Sequence, residues 1–170
     1  MGRVLTSFIR IVDKSVEWVG WGTAFLIPVI VIIATFEVIA RYVFNAPTIW
    51  AWDINKMLFG VVTGLGAGFT LLKKGHVSVD VFYSKWSNRK KAFADCLTFP
   101  LFLIFISILL WTVGNLTLIS IQEREVLSTI WSPAVYPMKV LITIGIFLLL
   151  VKGIADFILK LRIVIKNDQK

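Results

Sequence analysis

Between Cys96 and Gln122 the chain runs 27 residues without a charge, and from Trp18 onward it carries none until Glu37. About 20 residues of helix cross the hydrocarbon core of a bilayer, so runs of this length predict helices that span it. Composition supports the same solvent. The chain has 170 residues, 58% hydrophobic and 16% charged, with a mean hydropathy of +0.84, which is too apolar for an ordinary soluble domain of this length.

Four spans are expected within one membrane domain, residues 1–170, as an all-α bundle. They cover residues 18–43, 52–72, 93–122 and 134–159, with an arm over 1–17 and a tail over 160–170. The second has an uncharged stretch only from Met57 to Leu72 and borrows residues from Trp52 onward to reach across. The third can span with tilt to spare, and the fourth carries Lys139 near its start.

Lys and Arg sort unevenly around these spans. The arm, the second connection and the tail, with Lys152 near the end of the fourth span counted to the tail, hold 14 of them, against 4 (Arg41, Lys56, Arg124 and Lys139) on the other side, so both termini are expected in the cytoplasm. Aromatic residues sit at both ends of the spans, leaving only Trp111 at mid-membrane depth. The net charge of +8 would suggest nucleic acid in a soluble chain, but here the basic residues lie between apolar runs, which excludes that partner.

The arm is amphipathic. Leu5, Phe8, Ile9, Val12 and Val16 recur at helical spacing, with Arg3, Arg10, Asp13 and Lys14 opposite, so it is expected to lie in the inner interface or to pack on a protein partner. The run that follows is longer than a signal-peptide core and lacks a small-x-small cleavage pattern, so it is read as a retained anchor. Cys96 has no second cysteine to pair with.

Three further features stand out. Gly60, Gly64 and Gly68 recur every four residues and line one helix face, with Thr63 and Ala67 adding small surface, which lets another backbone come close, either in this chain or in a partner. In "LLKKGHVSVDVFYSKWSNRKK", Lys73 and Lys74 before Gly75 form a helix stop, and Ser87 can cap the next helix. His76 is the one histidine, so bis-histidine haem ligation within the chain is excluded and a structural or interfacial role is expected. In "EREVLSTIWSPAVYPMK", Pro133 and Pro137 keep the chain from running straight into the last helix.

Glu37 and Arg41 fall four residues apart at the end of the first span, in the favourable order for a helical ion pair. Their depth places Arg41 within reach of headgroups, so they are expected to act as an outer-leaflet clamp that fixes the first helix to its neighbours or to a partner.

In order, "EVIARYVFNAPTIWAWD" (37–53), the Gly-rich helix, "GHVSVD" (75–80) and "SPAVYP" (132–137) resemble the small membrane subunit of tripartite ATP-independent periplasmic (TRAP) transporters. The resemblance rests on Glu37, Arg41, Asn45, Pro47, Trp50, Asp53, Gly75, His76, Asp80, Ser132 and Pro133, and Asp53 stands where the family more often has Glu. It implies a multi-pass subunit of the bacterial or archaeal inner membrane. This subunit would brace a large elevator-type membrane subunit and help dock a periplasmic substrate-binding protein. Transport would be a sodium-coupled uptake of small organic anions, carboxylates or sulfonates. Sodium and substrate would bind the large subunit, leaving no cofactor, metal, catalytic or substrate site in this chain. Under this resemblance Gly60, Gly64, Gly68 and Glu37 are candidates for the large-subunit contact, and Arg41, Trp50, Asp53 and Arg124 for docking the binding protein. Arg10, Lys73, Lys74, His76, Trp86, Arg89 and Lys90 are candidates for contact with phospholipids.

Two other classes also fit four short helices. A small proton-coupled multidrug exporter would use a membrane glutamate, but Glu37 lies toward the end of its helix beside Arg41. For a membrane anchor subunit of an enzyme complex, the lone His76 argues against bound haem but not against anchoring as such.

Overall fold

The computed structural model describes residues 2–73, 75 and 88–166, with side chains described for 7–73, 75, 97–159 and 161. It contains α1 (Gly2–Ala24), α2 (Leu26–Tyr42), α3 (Ala51–Leu72), α4 (Asn88–Gln122) and α5 (Tyr136–Lys166). Ser7–Tyr42, Ala51–Leu72, Leu97–Gln122 and Tyr136–Leu159 are each long and apolar enough to cross a membrane, making this an all-α multi-pass membrane protein. Among the described residues, β pairing is confined to one isolated bridge between Val126 and Ala134.

The first helical stretch does not divide at residue 18. It continues from Gly2 to Ala24, breaks at Phe25 and resumes at Leu26. Pro28 accounts for the position of the break: it has no N–H to offer the carbonyl of Ala24, four residues back, and its ring crowds that same carbonyl.

The arm's apolar stripe is covered by this chain rather than by lipid. Ile9, Val12 and Val16 are buried with Ala155 and pack against Phe69 and Leu72 of α3 and Leu148 and Val151 of α5. Gly20 makes the approach of α1 to α3 possible, because a Cβ there would stand 2.2 Å from a ring carbon of Phe69. Phe8 and Ile11 stay exposed, outside that seam.

Helices α3 and α5 form the central pair, with α2 on the outer flank of α3 and α4 on the outer flank of α5. The arrangement is an open row, α2–α3–α5–α4. Closing it would gain little in lipid, since acyl chains are as apolar as the side chains they would replace. The α4–α5 seam buries Ile106, Ile146 and Leu149, and the hydroxyls of Thr117 and Thr143 meet across it at 2.8 Å. At 35 and 31 residues, α4 and α5 are roughly 52 and 46 Å long at the helical rise, well beyond a hydrocarbon core of about 30 Å.

Candidate interaction surfaces

Both ends of the row carry charge. The end with α1's start, Lys73 and Lys152 is called the basic end here; the far end holds the 43–50 and 123–135 connections.

At the far end Glu37 is fully engaged. Its Oε1 accepts from Arg41 Nη2 at 2.5 Å and Nε at 3.1 Å, and its Oε2 accepts from the hydroxyl and backbone N–H of Thr48 at 2.5 and 3.2 Å. Thr48 Oγ1 in turn accepts from the N–H of Ala51 at 3.4 Å, a donor at the start of α3 with no intrahelical partner. One carboxylate therefore ties the end of α2 to the start of α3. The Glu37–Arg41 pairing is as expected from spacing; Thr48, eleven residues on, is not announced by any periodicity.

The other far-end candidates separate by exposure. Arg41 remains half exposed and Arg124 is exposed. Trp50 is half-buried and stacks on Phe36 at 6.0 Å between centroids, which holds the 43–50 loop against α2. Asp53 is only 2% exposed, so it presents no carboxylate to a docking protein, contrary to expectation. Its place in the first turn of α3 puts the charge in the positive field of the helix start, with Lys56 Nζ 3.3 Å away as its ion-pair partner.

The connection between α4 and α5 is ordered by backbone geometry. Arg124 sits in the left-handed region at φ 49°, its N–H bonded to Ile121 O at 3.3 Å while the N–H of Glu125 reaches Ser120 O at 2.9 Å. This is a Schellman stop built on a residue other than glycine. Leu127 N–H to Pro133 O and Val135 N–H to Glu125 O then close the loop at 2.9 and 3.0 Å. Lys139 bonds Glu125 across its base, and that ammonium holds the Glu125 carboxyl below its ordinary range.

The glycine face is occupied inside the chain. A Cβ on Gly145 of α5 would lie 2.2 Å from the carbonyl oxygen of Gly64, and one on Gly64 would lie 3.0 Å from Ile142 Cα. Gly60 faces Met138, and Gly68 faces Val16 and the Leu149 backbone. These glycines bring α3 and α5 together and are not free for the large subunit. Glu37, likewise, is spent within the chain.

At the basic end the principal contact joins residues far apart in the chain. Lys152, counted with the tail by its charge, is 4% exposed and donates to Asp13 Oδ1 at 2.7 Å and Asp156 Oδ1 at 2.6 Å, joining α1 to α5. The Lys152–Asp156 half has helical spacing; Asp13 lies 139 positions away. Lys73 is also partnered, by Glu17 at 2.7 Å, so it is not a free lipid contact, whereas Arg10 is exposed. Lys74, His76, Trp86 and the proposed Ser87 cap lie outside the described residues, as do the side chains of Arg89 and Lys90.

Residues 30–163 match the family model for the DctQ component of tripartite ATP-independent periplasmic transporters. Over 103 residues, 61% of its length, the chain is 31% identical to the sialic acid TRAP transporter permease protein SiaT of Haemophilus influenzae (strain 86-028NP). It spans 16% of the length of that relative.

Proposed function

The chain belongs to the DctQ-component family of TRAP transporters, and from that premise we propose that it is the scaffold beside a large, sodium-coupled transport subunit. It is a small transport subunit and not an enzyme. In this reading the large subunit carries a small organic anion across the inner membrane, and this chain braces it and helps present the docking surface for a periplasmic binding protein. The basic end then faces the cytoplasm. The relative's name specifies sialic acid, a carboxylate, which favours carboxylates as the substrate class.

The observation that carries the scaffold reading is that the ionised groups within the spans are spent on the fold. Glu37 is saturated by Arg41 and Thr48, and Lys152 by Asp13 and Asp156. A carboxylate committed to four hydrogen bonds is a poor carrier of protons or drugs, which weighs against the exporter alternative.

The test is uptake in cells lacking the native system, with this chain, the large subunit and the binding protein supplied separately or together. Uptake of a radiolabelled carboxylate that needs all three and a sodium gradient is expected; drug efflux driven by this chain alone would overturn the reading. Reversing charge with Arg41→Glu and Arg124→Glu is expected to weaken uptake and flatten its salt dependence. If uptake and salt dependence both hold at normal expression, docking does not use these residues.

A further inference from the structure

Helix α4 has two unlike faces. One turns Phe102, Ile106, Leu109, Val113 and Thr117 toward α5. The opposite face carries Ile104, Ile108, Trp111, Asn115, Leu118 and Gln122, spaced alternately four and three residues apart, and all are exposed. That spacing keeps one straight stripe along a helix, the seam by which helices pair side by side. Of the four spans α4 is the least covered by the rest of the chain.

Two residues in the stripe are out of place for a surface that meets only acyl chains. Asn115 lies seven residues from the end of α4 at Gln122, about 10 Å along the helix, and its carboxamide makes no hydrogen bond among the described residues. Exposed threonines elsewhere in the spans satisfy themselves: Thr35 bonds Val31 O at 2.8 Å and Thr63 bonds Phe59 O at 2.9 Å. An asparagine has two donors and an acceptor to satisfy, and hydrocarbon offers nothing to any of them. Trp111, 74% exposed, sits a further turn inward, far from the interfacial level where tryptophan settles when its neighbour is lipid. Beside them Gly114 leaves open space, with no atom within 4 Å of where its Cβ would be.

We propose that this stripe is the seat of a transmembrane helix of the large subunit, which gives a hydrogen-bonding group to Asn115 and covers Trp111 where Gly114 lets the two helices close. The inference rests on the scaffold reading above. A second copy of this chain is the less suitable occupant, because in the SiaT relative the matching segment is 16% of a single polypeptide and so is tied to a much larger remainder.

The experiment uses the complex of full-length chains in native membranes. A photo-crosslinking side chain placed at position 115 or 118 is expected to capture the large subunit, whereas one at position 31 on the exposed side of α2 is not. Asn115→Leu is expected to lower retention of the large subunit by about threefold or more, the size of one interhelical hydrogen bond in a membrane. Because it replaces an exposed amide with an apolar group, the chain itself should fold and insert as before, which its own yield and thermal midpoint report. Capture of only lipid, or of a second copy, or unchanged retention of Asn115→Leu would overturn the proposal. Wild-type chain that retains no large subunit at all would remove the scaffold reading as well; a retained subunit with positions 115 and 118 silent removes this inference alone.

Discussion

At the basic end Lys152 is buried and shared by two carboxylates from different helices, while at the far end Glu37 is shared by an arginine and a threonine, with the arginine half in solvent. Both join two helices through one ionised group. They differ in what remains if that group is lost. Removing Lys152 leaves Asp13 and Asp156, both partly exposed, facing each other without their shared cation; removing the charge of Glu37 leaves Arg41 able to turn toward headgroups or water. The first is a lock that fails badly, the second a clasp that fails softly.

The largest effect is therefore expected from Lys152→Ala, about 1–3 kcal/mol, the range for hydrogen bonds to a charged group left unmade, read as a fall in the thermal midpoint of the purified protein. Adding Asp13→Asn should recover part of the loss, since one stranded charge is then gone. No recovery would mean that the Asp13 contact is incidental. Glu37→Gln is expected to act more locally. Its amide keeps one acceptor, so Arg41 stays near, but Thr48 loses an acceptor, and amide hydrogen exchange should quicken over residues 44–51 with the basic end unchanged. Exchange that quickened at both ends would erase the contrast between lock and clasp.

The smallest effect is expected from acid. Pairing with Lys139 lowers the Glu125 carboxyl in the folded chain from its ordinary 4.5, so the folded state binds that proton less readily than the unfolded chain. The contribution is complete above pH 4.5 and disappears as pH falls through the lower, folded value. Proteolytic nicking of the 123–135 loop should accordingly hold steady down to about pH 4.5 and rise below it, and Glu125→Gln should remove that rise.

Much of this architecture was legible because the bilayer imposes a length on uninterrupted apolar sequence. The spans ending at Tyr42, Leu72 and Gln122 stop where charge or turn-forming residues begin. Pairs within one helix, Glu37 with Arg41 and Lys152 with Asp156, are likewise visible as four-residue spacings. What joins different helices was not. The glycines of α3 announced a close approach, yet it is Gly145, one of two glycines in the last helix, that meets the backbone of Gly64, and spacing within one segment cannot name the partner in another. The same holds for Asp13 and Thr48. Asp53 was misplaced for a different reason: charge suggested a surface, whereas a helix start can hold a carboxylate with little solvent. The break at Phe25 follows from Pro28, which the length of an apolar run does not register.

A row of helices closed on neither side has no true inside: each helix is wall and surface at once. Any neighbour that binds only the folded row adds to its stability by mass action, in proportion to the logarithm of how much of that neighbour is present. For such a protein abundance is a shared property, and the amount of folded chain a cell keeps will follow the supply of whatever lies along its open faces.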